Sequence, residues 1–582
     1  MQTPAKILLL CCLTILCTFA NIAETKNQDI SQTYPKDYFR SPLGIPLQLA
    51  GTFGELRNNH FHAGIDCKTG GQQNLKLYAV AGGYVSRIKT SPRGYGNALY
   101  IDHPNGFTSV YAHLKSFSGH IGEYVERMQY NNQNFEIDEK VPPGLLYVTK
   151  SQVVARSGNT GSSAGPHLHF EIRDTHTEEA LNPLLFGLKV PDKVKPQINQ
   201  LAIYQFQEGS EKYVKQKTVS IKGATGKYSI SPKLIKLGSS RVGLGLKTYD
   251  KQTGVHHLNG IYSLKMYDNG QVVYAFRMER ISFDETRYLN CHIDYETKKR
   301  GGGLMQKCFA DLGNQLNIYH DVINRGIIDI SDGTIHNITF EVEDVEQNKS
   351  TLSFMIQYDA NASAGTFKEA EHVAKFNYNT DNIFENEDLK IFMPYGALYN
   401  DIAFEYETKM PAAEANVYSQ YHYLHDSKTP VQKYFDVSIK PTTLPYEMYD
   451  KAIIAYSTAG GRTKSLGGTW EGNYLKAESR EFGKYFITLD KTAPRVKGIN
   501  ISNGKNMSKN TQIIMSMTDN LSGIASYNAY IDDQWILMHY DQKSNRLRYY
   551  FDDHCSKGSH TFKLVVKDER QNEKIYTAKF IR

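Results

Sequence analysis

A mainly β chain of several domains is the fold class this sequence predicts, and three observations predict it. Its 582 residues exceed what one hydrophobic core supports; at roughly 150 residues a domain they call for about four. Forty Tyr and 26 Phe stand beside two Trp and 45 Gly, a balance that favours pleated sheet. Short apolar runs alternate with polar residues, as in Thr339-Phe340-Glu341-Val342, Phe435-Asp436-Val437-Ser438-Ile439 and Lys563-Leu564-Val565-Val566, with Gly, Asn and Asp turns between them. At 40% hydrophobic and 22% charged, the composition excludes wholesale disorder. The net charge of +6 falls by one without the segment carrying Lys6 and is spread thinly, so no nucleic-acid partner is expected.

The chain opens with Lys6 ahead of an apolar run from Ile7 to about Phe19, then Thr18 and Ala20 at small-residue positions. This is the pattern of a secretory signal peptide over residues 1–20, cleaved near Ala20. The run is too short for a spanning anchor, and Leu16 is too bulky to favour lipidation at Cys17. The expectation is export to the periplasm, cell envelope or extracellular space, with no transmembrane segment after signal removal. Cys67, Cys291, Cys308 and Cys555 remain; Cys291 and Cys308 are close enough in sequence to pair, or both are free thiols.

Polar breaks at Pro191–Pro196, at 359–366 and at Asp490–Pro494 divide the rest of the chain. They place a first domain at 34–190 and β-sandwiches at 195–358, 366–490 and 493–582. An internal repeat links the first and last sandwiches. His336-Asn337-Ile338-Thr339-Phe340-Glu341-Val342-Glu343-Asp344 is echoed by His560-Thr561-Phe562-Lys563-Leu564-Val565-Val566-Lys567-Asp568, and each ends in a turn closed by Gln-Asn. Upstream, Asp250…Gly254 is echoed by Asp519…Gly523, and the first copy carries an excursion of about 45 residues holding Cys291 and Cys308. Both copies resemble the immunoglobulin-like or fibronectin-like modules of bacterial surface proteins. The Asp-x-x-Gln-Asn turns read as plain hairpin turns rather than calcium loops. These modules read as scaffold, able to engage an envelope protein partner. The 366–490 segment shows no ligand or catalytic pattern.

The chemistry concentrates between residues 60 and 171. In Asn59-His60-Phe61-His62-Ala63-Gly64-Ile65-Asp66, Gly64 and the flanking Asn residues disfavour a helix, so a turn entering a strand presents His62 and Asp66. Both are good zinc ligands. Alternation in His167-Leu168-His169-Phe170-Glu171-Ile172 marks a strand that projects His167 and His169 to one side. Val110-Tyr111-Ala112-His113-Leu114 reads as a further strand with Tyr111 and His113 on one face.

Together, Phe53-Gly54-Glu55-Leu56-Arg57 through Asp66, Gly94-Tyr95-Gly96-Asn97, Tyr111-Ala112-His113-Leu114 and the run from Gly158 to Glu171 resemble the lysostaphin/LytM-type (M23) zinc metallopeptidases over about residues 35–190. The resemblance implies a two-sheet antiparallel β domain with zinc (Zn2+) in a groove. It implies His62, Asp66 and His169 as metal ligands, a fourth position left for water, and His113 and His167 as catalytic residues. His113 is the preferred base, with the base and oxyanion roles of the pair otherwise open. His60 and His103 match no ligand position and read as rim or structural residues, and Cys67 as a buried thiol. No other cofactor is implied.

The implied function is an exported zinc metalloendopeptidase hydrolysing peptide cross-links of peptidoglycan. The alternative is a non-catalytic relative that binds cell wall or activates an amidase; such relatives typically lose ligand or catalytic histidines, and all five positions are kept here. One departure from compact relatives is the 115–150 insertion, where Ile121, Val125 and Met128 at helical spacing predict a short amphipathic helix, either walling the groove or packed on its far side.

Overall fold

The computed structural model describes residues 34–367, 371–412, 416–457 and 461–582; the signal peptide expected at 1–20 lies outside them. No helix among the described residues is long and apolar enough to cross a membrane. The structure is mainly β throughout, as the alternating patterns predict.

The first domain is built on an antiparallel sheet. Its strands are β1 (Leu49–Gly51), β2 (Ile65–Lys68), β3 (Gly83–Thr90), β4 (Ala98–Asp102), β5 (Phe107–Ala112), β6 (Ile137–Lys140) and β7 (His167–Asp174), in the spatial order β1-β2-β7-β5-β4-β3-β6. A second, three-stranded sheet is made by Lys76–Tyr78, Val153–Arg156 and Ser116–Phe117. Leu168, Phe170 and Ile172 are fully buried, which fixes the register of β7 by its apolar face and turns His167, His169, Glu171 and Arg173 to the other. β7 pairs Leu168 with Cys67 and His169 with Asp66. Cys67 therefore points away from Asp66 into the core, where burial pushes its thiol up out of the reactive range.

The insertion forms α1 (His120–Asn132), which buries Ile121, Tyr124, Val125 and Gln129, so Met128 yields its expected place to Gln129 one position on. Gln129 is buried because its amide donates to the Phe135 carbonyl (2.7 Å). After α1 the chain adds β6 to the sheet edge opposite β1. The exposed end of α1 meets the last module. Tyr130 donates to Asp552 (2.7 Å), and its ring stacks on His554 at 4.1 Å and meets Trp535 edge-on at 5.5 Å. The helix thus braces the C-terminal module.

Residues 197–358 form a sandwich of a five- and a seven-stranded sheet. Its core includes Leu201, Ile203, Leu244, Phe276, Phe340 and Phe354. Cys291 and Cys308 are both buried in this core as free thiols, not joined as a staple, and burial pushes both up. This module is more than a scaffold. Phe53 and Phe61 of the first domain belong to the same core, and the Phe61 backbone N–H donates to the Thr286 hydroxyl (2.8 Å). The first domain's sheet also continues through Ala180–Leu181 into Arg280–Ile281 of the module. The next two modules are sandwiches of two five-stranded sheets, and of a four- and a five-stranded sheet. At the mouth of the first of the three modules, burial and the neighbouring Asp344 and Asp192 charges push Asp250 up to about 8.

Phe61 is 1% exposed and plugs a core that belongs to two domains at once. Phe61→Ala is expected to destabilise that shared unit by about 3–5 kcal/mol, the usual loss for a buried aromatic truncated to a methyl. Urea unfolding followed by near-UV circular dichroism will show an early transition for residues 35–358, with the later modules unchanged.

Candidate metal centre

Three neighbouring strands and one loop converge on a single point. β2 carries Asp66, and β7 places His169 directly opposite it. His62 precedes β2 on a loop folded back on itself, with Gly54 N–H donating to the His62 carbonyl and His62 N–H to the Glu55 carbonyl, both at 2.9 Å. Gly64 is required between them, because a side chain there would strike the Phe170 carbonyl at 2.3 Å. Glu55 lies in the same loop, and burial pushes its carboxyl up to about 7.

The ligand atoms are close to equidistant. His62 Nε2 lies 3.1 Å from Asp66 Oδ1 and 3.0 Å from His169 Nδ1, and His169 Nδ1 lies 3.0 Å from Asp66 Oδ1. Ligands 2.0–2.1 Å from a tetrahedral zinc stand about 3.3 Å apart, so the triangle is the right size for that ion. Its members are 4–9% exposed. The electrostatics fit as well. Burial alone would lower His169, but its hydrogen bonds to Asp66 and Glu171 hold it up at about 9, so the pocket calls for positive charge where a cation would sit. The donor set of two imidazoles and one carboxylate suits zinc.

Each candidate ligand is aimed by a group behind it. His62 donates from Nδ1 to the Thr52 carbonyl (2.8 Å), which leaves Nε2 as its open nitrogen. His169 donates from Nε2 to Glu171 (2.8 Å), which leaves Nδ1. Arg57 donates to the outer oxygen of Asp66 at 3.0 Å. Glu171 is fully buried between His169, Arg173 (2.7 Å) and the Tyr95 hydroxyl, and Tyr95 stacks on the His169 ring at 5.2 Å. Burial alone would raise the Glu171 carboxyl, but Arg173 and the hydrogen bonds it accepts bring it down to about 2.

His113 and His167 flank this triangle with rings 4.9 Å apart. His167 Nε2 lies 3.3 Å from Asp66 Oδ1, and its Nδ1 donates to the Gly165 carbonyl (2.8 Å). His113 does not share a strand face with Tyr111, contrary to the alternation. β5 ends at Ala112, and His113 takes a left-handed backbone with φ of 59°. Tyr111 stays in the core, hydrogen bonded to the Tyr78 carbonyl and the Val80 N–H. The turned backbone is held by His113 N–H on the Tyr95 carbonyl, and the His113 ring donates from Nδ1 to the Thr160 carbonyl, both at 2.9 Å. Burial, with the His169 and His167 charges, pushes His113 down to about 3, so its imidazole is neutral at neutral pH with Nε2 open. His60 is an exposed rim residue bonded to the Asn58 carbonyl, and His103 is buried and bonded to Gly82 and Ser109.

The Glu171–Arg173 pair was within reach of the sequence, since both alternate with His167 and His169 on one strand face. Thr52, Thr160 and Arg57 carry no such signal. Neither does Lys543 of the last module, whose ammonium donates to the Asn159 and Ser163 carbonyls of the loop beside the site.

These supports can be tested one at a time. Gly161 sits at φ 68°, and a Cβ there would meet Gly96 N at 2.3 Å and Gly94 O at 2.4 Å. Gly161→Ala is therefore expected to shift the Thr160 carbonyl and with it the His113 ring, read as a change in the His113 imidazole NMR signals while those of His62 stay in place. For Glu171, a carboxyl lowered from 4.5 to about 2 adds about 3 kcal/mol of stability above its unfolded value. That contribution is lost as pH falls from about 4.5 through 2, and acid unfolding of Glu171→Gln will lack this component.

Residues 60–130 match the model of peptidase family M23, and residues 373–490 match the Zu5-like domain. Over 137 residues the chain is 32% identical to the DD-carboxypeptidase/endopeptidase Mpg of Neisseria meningitidis, covering 24% of this chain and 25% of that protein. It is 26% identical over 163 residues to an uncharacterized metalloprotease of Haemophilus influenzae, covering 27% of this chain and 29% of that protein. Among solved structures it matches the catalytic domain of lysostaphin from Staphylococcus simulans at 21% identity and a TM-score of 0.19, over 25% of this chain and 93% of that one. The chain spans about a quarter of the length of the first curated relatives it matches. It carries a peptidase family M23 domain, with a Zu5-like domain C-terminal to it.

Proposed function

We propose that the chain is an exported zinc metalloendopeptidase that hydrolyses peptide cross-links of peptidoglycan. One observation carries this reading: three donor atoms lie 3.0–3.1 Å apart, beside two imidazoles whose Nδ1 atoms are engaged by backbone carbonyls. His62 Nε2, His169 Nδ1 and Asp66 would hold the ion. Bound there, zinc supplies a Lewis acid that brings the pKa of water toward about 7.

The protein's own groups do the rest. Neutral His113 accepts the proton of the attacking water at Nε2, with the Thr160 carbonyl fixing its tautomer. His167, in the form that carries a proton on both ring nitrogens, donates from Nε2 to the oxyanion of the tetrahedral intermediate, and His113 returns its proton to the leaving amine. The Arg57 and Glu171 contacts keep the ligand triangle from relaxing between turnovers. Similarity to a relative named for DD-carboxypeptidase/endopeptidase activity supports a peptidoglycan substrate.

Purified protein is expected to hold one zinc per chain and to release soluble fragments from purified wall material. A chelator will abolish the release and added zinc will restore it. His113→Ala should keep the metal and lose at least about 100-fold in rate, whereas His62→Ala loses both. Binding of wall material with no cleavage by the zinc-loaded wild type would favour the non-catalytic alternative.

A further inference from the structure

The two modules linked by the sequence repeat share an arrangement of aspartates as well as strands. In the first, Asp192 comes from the entry segment, Asp250 from the end of one strand and Asp344 from the Gln-Asn turn; in the last, Asp490, Asp519 and Asp568 occupy the same places. Within each trio, one carboxylate oxygen per residue lies within 4.8 Å of the others.

The hydrogen bonds match pair by pair. Asp344 accepts from the Asn348 backbone N–H (2.9 Å) and side-chain amide (2.7 Å), as Asp568 does from Asn572 (2.8 and 2.7 Å). The same amides reach the entry segment's carbonyls, Asn348 to Asp192 at 3.4 Å and Asn572 to Asp490 at 3.0 Å. Asp192 accepts from Val194 N–H and Thr253 N–H, and Asp490 from Thr492 N–H and Ser522 N–H. The Gln-Asn turns are hairpin turns, as the sequence reads.

After this network is complete, acceptors are left over. Asp250 is 4% exposed and its Oδ1 has no hydrogen-bond partner; the Asn259 side-chain carbonyl, 3% exposed, has none either. Both line a cavity of about 40 Å³ together with Asp192 and Asp344. In the last module Asp519 Oδ1 is likewise unpartnered. A buried carboxylate oxygen with nothing to accept from is costly, and among the described residues no cationic side chain is bonded to either trio.

We infer that the trio of Asp192, Asp250 and Asp344 binds one Ca2+ ion, at the seam where the entry segment meets its module. Oxygens 2.3–2.6 Å from calcium lie up to about 5 Å apart across it, which the trio's spread allows. The donors are all oxygen and irregularly placed, which suits calcium rather than zinc or octahedral magnesium. In the first seam the ion would also stiffen the contact with the M23 domain. Gln252, two residues beyond Asp250, accepts from the Leu49 N–H of β1 (2.8 Å), and Thr52, whose carbonyl aims His62, exchanges hydrogen bonds with Gly260.

Equilibrium dialysis of the full chain, kept zinc-replete, against radioactive calcium tests this directly. Bound calcium is expected, retained in tenfold excess magnesium, and Asp250→Asn with Asp344→Asn should remove one equivalent, whereas Asp519→Asn with Asp568→Asn should leave that equivalent in place. No bound calcium at 10 mM, or no loss in the Asp250→Asn, Asp344→Asn variant, would overturn the inference. Should a double variant fail to fold, Tb3+ luminescence of the wild type decides. Tyr262 lines the first cavity and should sensitise emission that calcium quenches, and Tyr262→Phe should lower it; a dark complex overturns the first site.

Discussion

The first domain depends on one constraint, which is that the Asp66 carboxylate must be buried beside three imidazoles without being neutralised by a proton. Four groups bear on it within 3.3 Å, from His62, His167, His169 and Arg57. A carboxylate so placed is stable only with positive charge at hand. The domain supplies that charge by holding a cation or by protonating His169, and the Glu171–Arg173 pair behind His169 serves both states. Strand pairing supplies the geometry. The antiparallel partnership of β2 and β7 sets Asp66 against His169, and a slip of one residue would bring Leu168 to that position and dismantle the centre.

His62 is the ligand that strand pairing does not fix, and here the neighbouring module matters. Its loop is tied through Thr52 to Gly260 and through Phe61 to a core shared with residues 197–358. A peptidase domain cut free of that module would expose Phe53 and Phe61 and leave His62 on a loosened hairpin. The module therefore belongs to the metal centre's support, and its sequence, read as repeated scaffold, does not announce this.

The features legible in the sequence and those hidden from it divide along physical lines. Period-two alternation reports which residues share a strand face, so His167, His169 and the burial of Cys67 follow from it, and Glu171 and Arg173 could have. It fails where the backbone leaves the strand. Alternation predicts His113 beside Tyr111, but a left-handed φ after Ala112 sends the two side chains apart. The helix of the insertion is legible from its apolar spacing, yet its role is not, because Tyr130 finds its partners more than 400 residues away at Trp535, Asp552 and His554. Long-range contacts through exposed polar groups leave no local pattern.

The same distant module reaches back to the site from a second side. α1 holds its Asp552–His554 face, and Lys543 on its 541–545 turn spans the carbonyls of Asn159 and Ser163. Those carbonyls belong to the loop that carries Thr160 behind His113 and Ser163 beside His167. The two imidazoles thus rest on a loop gripped by Gly94 and Gly96 on one side and by a lysine from the chain's last module on the other. An exposed ammonium–carbonyl contact is weak, worth about 1 kcal/mol, against backbone packing that admits no Cβ. The loop's position is therefore set within the M23 domain, and Lys543 trims its freedom rather than placing it. The C-terminal module consequently touches the supports of His113 and His167, while the His62 loop answers to the module at 197–358.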